Sequence, residues 1–196
     1  MPRNIRLMGS LAALALVLGM RCAGAAVPSY VLDATKSTVE FQFVQAGAQN
    51  KGRFPKVTVN FSFADDSLPA SHLEVTVDLA ALDTGDTERD DTLRDTDLFN
   101  VAKFPQARFA ATQITKSAAG TYEASGSLIL RGVTRALRIP FTLKSATEQG
   151  RPVLYMAGKT LIKRLDFGVG QGDWKSTEWV GNDVTVTFNL RLLAPN

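Results

Sequence analysis

The stretch of the sequence with the greatest density of reactive side chains spans residues 83–109. Its first half combines Arg89 and Arg94 with six carboxylates, at positions 86, 88, 90, 91, 95 and 97. Such carboxylates could bind calcium, which takes oxygen ligands, or act as the acid and base of a hydrolase. The glycine and glutamate that an EF-hand loop requires at its sixth and twelfth positions are missing, and two arginines would repel a cation. The alternative is a short, solvated helix with internal ion pairs such as Asp90–Arg94, capped by Thr84 or Thr87.

Other residues add little support for catalysis. His72 is the one histidine of the chain, and no nucleophile motif lies near it in the sequence. One histidine and one cysteine cannot supply the ligand sets that zinc usually takes. The glycines of KRLDFGVGQGDW (163–174) resemble part of a dinucleotide-binding loop without its strand and helix, so a loop at a barrel rim fits better. A hydrolase that uses the acidic block with Arg164 and Asp166 remains the less favoured alternative to a non-enzymatic protein.

The first 25 residues have the pattern of a secretory signal peptide. Arg3 and Arg6 precede a short apolar segment, and AGA at 23–25 supplies the small residues of a cleavage site. The apolar segment is shorter than the roughly 20 residues that a membrane span needs. The sequence therefore predicts a cleaved signal at 1–25, one domain at 26–196, and export to the periplasm.

Cleavage would change the charge of the protein. The chain has 22 Lys and Arg against 19 Asp and Glu, and three of the arginines lie in residues 1–25, which hold no acidic residue. The mature chain would then have 19 basic and 19 acidic residues, so its composition does not favour nucleic acid as a partner. Cys22 would leave with the signal, and stability without a disulfide must come from a buried core.

The elements that position these residues are predicted to be strands. Apolar and polar residues alternate in KVTVNFSF (56–63), HLEVTVDL (72–79), ALRIPFTL (136–143) and DVTVTFNLRL (183–192). About eight such segments, with no regularly alternating helices, predict an all-β fold. Strands with one apolar face need a shared interior, which favours a single closed antiparallel β-barrel over a sandwich. One or two short helices are predicted, within 87–101 and within GDWKSTEWV (172–180).

Four segments resemble, in their order along the chain, the YceI-like family of exported polyisoprenoid-binding proteins. They are YVLDATKSTVEFQF (30–43), the 83–109 block, GSLILRGVTRALRIPF (126–141) and IKRLDFGVGQGDW (162–174), and the resemblance covers about residues 28–193. The positions that match the family motifs are Asp90, Leu93, Arg94, Phe99, Phe104, Arg131, Gly132, Thr134, Arg164, Asp166, Phe167 and Gly168. Two positions depart from the pattern: Leu98 stands where a second Phe is common, and VQAGAQNKGRF (44–54) has no His.

This resemblance implies an extended, lipocalin-like barrel with an apolar tunnel that holds a long isoprenoid chain of polyprenyl or quinone type. It implies no catalytic residue, no metal and no cofactor apart from such a lipid. The partners would be the isoprenoid and, transiently, a membrane or a membrane redox protein, with the chain a monomer or a homodimer. The alternative is an accessory protein of a membrane redox or stress system that has no ligand of its own.

The side chains expected to line the tunnel are apolar residues of the predicted strands and of the motif blocks. We predict that they are Phe41, Phe43, Val59, Phe61, Val75, Val77, Phe99, Phe104, Phe109, Leu128, Ile139, Phe141 and Phe167.

Overall fold

A computed structural model describes residues 27–195, so the predicted signal peptide lies outside the described residues. The described part of the chain forms ten β-strands and one α-helix, with short 3-10 turns between them. The strands are β1 (Ser29–Leu32), β2 (Thr38–Gln45), β3 (Ala48–Arg53), β4 (Val57–Ser62), β5 (His72–Asp78), β6 (Gln106–Ala118), β7 (Thr121–Leu130), β8 (Val133–Glu148), β9 (Arg151–Lys163) and β10 (Asp183–Leu193), and the helix is α1 (Thr87–Arg94).

Eight of the strands close into an antiparallel barrel. Strands β4 to β10 pair consecutively along the chain, and β1 closes the ring between β4 and β10. At the seam, Tyr30 pairs with Phe61 of β4 and Val31 pairs with Leu193 of β10. The predicted all-β fold, a closed antiparallel barrel of about eight strands, is confirmed, with β2 and β3 as additional strands.

Alternation of apolar and polar residues fills the barrel interior. In β4, Val59 and Phe61 are buried, whereas Thr58 and Asn60 between them are exposed. The same period of two appears in β2, where Phe41 and Phe43 are buried and Gln42 is exposed, because successive side chains of a strand point to opposite faces of the sheet. The apolar side of each strand therefore forms one shared core.

The β2–β3 hairpin extends the barrel wall at one end. Strand β2 pairs with residues 185–189 of β10, whereas β1 pairs with β10 only at Leu192 and Leu193. Strand β3 is the last strand of the sheet, and its end is fastened to the chain after β5 by reciprocal backbone hydrogen bonds between Arg53 and Asp83 (2.8 and 3.0 Å). The hairpin thus diverges from β1 and β4 over most of its length.

The helix is shorter than the sequence predicted and has a different cap. It ends at Arg94 rather than continuing toward residue 101, because the chain turns at residues 95–100 and Asn100 takes a left-handed conformation (φ 49°). Neither Thr84 nor Thr87 caps its start: the Asp86 carboxylate accepts a hydrogen bond from the Arg89 N–H (3.1 Å). Asp is at least as good an N-cap as Thr, and its charge also suits the positive end of the helix dipole. The second predicted helical segment forms only a 3-10 turn at Gly172–Lys175.

The end of the barrel opposite to the β2–β3 turn is filled with aromatic side chains. The rings of Phe61, Phe63, Tyr122 and Phe141 are in sequential contact, with centroids 5.3, 5.2 and 5.5 Å apart. The Tyr122 hydroxyl donates to Asp65 (2.7 Å) at the rim. In residues 27–195, no helix has both the length and the apolar character that crossing a membrane requires.

Candidate functional site

An apolar cavity of about 130 Å³ lies inside the barrel at the end where β9 ends and β10 begins. Its walls come from β2, β9 and β10, from helix α1 and from the loop that connects β9 to β10. Four polar residues reach the lining, Gln45, Arg89, Thr92 and Arg164. The apolar residues of the lining are Phe41, Phe43, Phe54, Leu79, Leu93, Leu98, Phe99, Leu130, Ile162, Val169, Trp174, Val180, Val184 and Val186.

Strand alternation aims the wall residues into the cavity. Phe41 and Phe43 of β2 are buried, while Gln42 between them is exposed. The Phe41 ring stacks on Phe54 (centroids 4.7 Å apart) and covers Gly52 of β3. A side chain at Gly52 would collide with that ring, so glycine is needed for the ring to lie flat on the hairpin.

Helix α1 covers the cavity because two side chains attach it to the preceding turn. Asp90, which is 8% exposed, accepts hydrogen bonds from the N–H and the hydroxyl of Thr84 (2.8 and 2.7 Å). Arg94 donates to the carbonyls of Ala80 and Leu82 (3.0 and 2.7 Å). The helix face that holds Arg89, Thr92 and Leu93 is thereby fixed over the cavity. The most buried carboxylate of the acidic block is thus bound to Thr84.

Arg164 organises the loop on the other side of the cavity. It is 4% exposed, and all of its partners are backbone carbonyls of residues 169–181, so it has no carboxylate partner. Its side chain donates to Gly181 (3.0 Å), Val169 (2.9 Å), Trp174 (2.7 Å), Ser176 (3.2 Å) and Val180 (2.7 Å). The five donors of a guanidinium match such a ring of acceptors.

Burial lowers the pKa of the Arg164 guanidinium, because the apolar surroundings disfavour the charged form. Arginine nevertheless stays protonated in proteins, so the loop encloses a permanent positive charge. The carbonyl dipoles stabilise that charge, and the guanidinium N–H groups provide the hydrogen bonds that the buried carbonyls need. The arrangement holds Val169, Trp174 and Val180 against the cavity.

Backbone contacts join three sequence blocks at this end of the barrel. The Arg131 side chain donates to the Thr96 carbonyl (2.7 Å), which links the β7–β8 turn to the chain after α1. The Gly170 and Gln171 N–H groups donate to the Asp97 carbonyl (3.0 and 2.8 Å), which links the β9–β10 loop to the same segment. The blocks around residues 90–104, 131–134 and 164–172 therefore form one structural unit around the cavity.

Comparison with known proteins shows the family of the chain. The YceI-like domain profile matches residues 30–192, almost the entire described chain. The chain belongs to the YceI-like family. A UPF0312 protein of Yersinia enterocolitica is 36% identical over 160 residues, which cover 76% of this chain and 81% of the relative. A UPF0312 protein of Vibrio parahaemolyticus is 28% identical over 174 residues, 86% and 89% of the two chains.

Solved structures share the YceI-like fold. BcnA of Burkholderia cenocepacia superposes with a TM-score of 0.76 at 28% identity, over 82% of this chain and 98% of BcnA. A polyisoprenoid binding domain from Saccharophagus degradans superposes with a TM-score of 0.68 at 21% identity, over 86% of this chain and 99% of that domain. Because the second structure is only 21% identical to this chain, its similarity supports the fold alone.

The structure places the predicted tunnel residues of this YceI-like barrel in two regions. Phe41, Phe43 and Phe99 line the cavity. The others lie away from it: buried residues of the core are Val59, Phe61, Phe109, Leu128, Phe141 and Phe167, and half-buried ones are Val75, Val77, Phe104 and Ile139. Phe104 lies against Gly132 and supports the β7–β8 turn. Which of these side chains contact a ligand stays a prediction.

Several lining residues were missed by the sequence analysis. Val184 and Val186 stand in the alternating pattern of β10, and that pattern could have assigned them to the interior. Arg89, Trp174 and Val180 come from α1 and the β9–β10 loop, where periodicity gives no such signal. Leu98, the departure from the family pattern, is 5% exposed and contributes to the lining.

Acidic residues do not converge on the cavity. Among its lining residues, all within 27–195, there is no Asp, Glu or His. The side chains of Glu88, Asp91, Asp95 and Asp166 are exposed, and Arg164 contacts carbonyls instead of Asp166. The described residues contain no group of three or more His, Cys, Asp or Glu side chains that could hold a metal ion.

Proposed function

We propose that this YceI-like protein is an exported, non-enzymatic binding protein for an isoprenoid lipid of polyprenyl or quinone type. The observation that carries the proposal is the apolar cavity, which lies where the family motif blocks meet. The related domain from Saccharophagus degradans is named a polyisoprenoid binding domain, and we extend that ligand class to this chain. The function is to shield the lipid from water during sequestration or transfer.

The composition of the lining suits such a ligand. An isoprenoid chain presents only apolar surface, and each methylene group that it buries contributes about 0.8 kcal/mol before ordering costs. Fourteen of the eighteen lining residues are apolar. Polar contacts for a head group would come from Gln45 and Arg89, since the Arg164 donors already have carbonyl partners.

A second candidate function is an accessory periplasmic protein without its own ligand. The filled aromatic end of the barrel favours this candidate, because a tunnel through the whole barrel would need that space. The two candidates make opposite predictions for lipid uptake.

Uptake of isoprenoid by wild-type protein and two tryptophan variants tests the proposal. Ile162 lines the cavity, whereas its neighbour Leu161 is 51% exposed on the outer face of β9. We expect delipidated wild-type protein and Leu161→Trp to bind a polyprenol or a long-chain quinone in a fluorescent-probe displacement assay. Ile162→Trp should bind at least about tenfold more weakly, because a larger ring fills a cavity close in size to one benzene molecule.

Absence of lipid uptake by folded wild-type protein would support the accessory candidate. Equal losses of affinity in the two variants would also contradict a site inside the barrel. Circular dichroism and thermal unfolding of each variant would show whether the fold is intact.

Export to the periplasm is part of the proposal and rests on the pattern of residues 1–25. Intact mass analysis of the protein recovered from a periplasmic extract should give a chain that starts at Ala26. Recovery of the full-length chain from the cytoplasmic fraction would contradict export.

A further inference from the structure

Phe54 separates the apolar cavity from a second recess on the side of the barrel. This recess, the lateral groove, has a volume of about 340 Å³ and a mixed lining. Its apolar residues are Leu32, Ala34, Val39, Phe54, Pro55 and Val57, and its polar residues are Thr35, Ser37, Thr38, Glu40 and Arg53. Phe54 also belongs to the lining of the cavity. Its half-buried side chain therefore stands between the two spaces.

The lateral groove follows from the topology of the sheet. Strands β1 and β2 both pair with β10, but at different positions along it. The β2–β3 hairpin consequently diverges from β1 and β4, and the chain between β3 and β4 crosses the gap. Leu32, Val39 and Val57 are half-buried in this gap, whereas Thr35, Thr38 and Arg53 are exposed at its rim.

The backbone around Phe54 is fixed on both sides. The Phe54 N–H donates to the Val39 carbonyl (2.9 Å), and Arg53 is bound to Asp83 through backbone hydrogen bonds and an ion pair (2.6 Å). The Phe54 ring is held by its stacking on Phe41. A rotation of the Phe54 ring would break this stacking and join the two spaces, while the backbone hydrogen bonds on both sides stay in place.

The size of the cavity requires such an extension if the ligand is long. A cavity of about 150 Å³ holds one benzene molecule, so about 130 Å³ accommodates roughly one isoprene unit. The direction along the barrel axis is closed by the rings of Phe61, Phe63 and Tyr122. The direction past Phe54 leads into the lateral groove, where Leu32, Val39 and Val57 are half-buried apolar residues of the lining.

We infer that Phe54 determines the length of isoprenoid chain that this protein binds, with the lateral groove as the site for the distal part of the chain. This inference rests on the proposed function, since it concerns the same ligand. Short chains occupy the cavity alone, and long chains displace the Phe54 ring and continue over Leu32, Val39 and Val57.

A chain-length series with Phe54→Ala tests this inference. Dissociation constants of linear isoprenoid alcohols from prenol, which has one isoprene unit, to solanesol are measured by displacement of a fluorescent apolar probe. If the open rotamer of Phe54 is populated about a tenth of the time, removal of the ring tightens binding of solanesol by about tenfold and leaves prenol within about twofold. Phe54→Trp should shift the preference toward prenol.

Phe43→Ala is the matched control, because Phe43 lines the cavity without bordering the lateral groove. It removes an equal ring, and we expect it to leave the ratio of solanesol to prenol affinity unchanged. Phe54→Leu, which keeps an apolar side chain of smaller size, replaces Phe54→Ala if that variant does not fold.

The outcomes separate the inference from the proposed function. If wild-type protein binds isoprenoids and the Phe54 variants leave the affinity ratio unchanged, the inference is overturned and the proposed function stands. An equal change of the ratio in the Phe43 and Phe54 variants also overturns the inference. If folded wild-type protein binds neither an alcohol of the series nor a long-chain quinone, the proposed function fails, and the inference fails with it.

Discussion

A single side chain, Arg164, holds the β9–β10 loop in place at the cavity end of the barrel. It does so through backbone carbonyls and without a carboxylate partner. Its five hydrogen bonds to carbonyls of residues 169–181 hold three lining residues in position. A buried arginine in a family motif suggests catalysis or anion binding. Here its donors are already used by the backbone, so its role is to organise the loop.

Replacement of Arg164 by Met should destabilise the protein by about 3 kcal/mol or more. Each buried carbonyl that loses its donor costs about 1–3 kcal/mol, and water can reach only some of them. Arg164→Lys should recover part of the loss, because an ammonium group has three donors instead of five. Urea unfolding measures these differences.

Arg138→Met is the control for this prediction, since Arg138 is exposed and its ion pair with Glu123 is at 4.0 Å. We expect this variant to lie within about 0.5 kcal/mol of the wild type. Equal stability of Arg164→Met and Arg138→Met would contradict the role assigned to the buried guanidinium.

At the scale of elements, helix α1 and the β1–β10 seam are each held by specific polar contacts. The helix depends on Asp90 and Arg94, which attach it to residues 80–84. The seam depends on Arg191, which binds Asp33, the residue after β1, and Glu148, the last residue of β8 (2.5 Å each). The two sets of contacts share no residue, so each can be tested separately.

Asp90→Ala should detach helix α1 from the turn and destabilise the protein by about 2–3 kcal/mol, since two hydrogen bonds to a buried carboxylate are lost. Asp90→Asn keeps an acceptor for Thr84 and should cost less. The exposed neighbour Asp91, changed to Ala, should have little effect. Hydrogen exchange should accelerate in α1 of Asp90→Ala, and unchanged exchange there would contradict the attachment.

The seam should make stability depend on acid pH. A hydrogen bond from Thr35 and the guanidinium of Arg191 lower the pKa of Asp33, and hydrogen bonds from Tyr155 and Arg191 lower the pKa of Glu148. A carboxyl with a lowered pKa in the folded state stabilises the fold above its unfolded pKa of about 4. That stability is lost as the pH falls below this value.

Two variants test this pH dependence. One is the double variant Asp33→Asn/Glu148→Gln, and the other is Asp66→Asn, a control at an exposed carboxyl group. The double variant should be less stable than the wild type at pH 7 and should lose less stability between pH 7 and pH 3. Asp66→Asn should follow the wild-type profile. Urea midpoints across this pH range provide the measurement, and parallel profiles for the wild type and the double variant would contradict the prediction.

At the scale of the whole molecule, the sequence predicted the barrel because its apolar side chains recur with a period of two. Val59 and Phe61, or Phe41 and Phe43, are placed inside by that pattern alone. The cavity was harder to predict, because Trp174 and Val180 come from a loop whose shape depends on Arg164. The proposed role of Phe54 depends on the divergence of the β2–β3 hairpin from β1 and β4. The alternation of residues along a strand does not predict such a divergence.

The most direct test of isoprenoid binding is mass spectrometry of the protein isolated from its native cells without delipidation. Native spectra should show a bound molecule, and its mass after release by denaturation should identify a polyprenyl or quinone-type lipid. Ile162→Trp, isolated in the same way, should retain much less of it. A folded protein that carries no lipid and takes up none from added polyprenol or quinone would contradict the account.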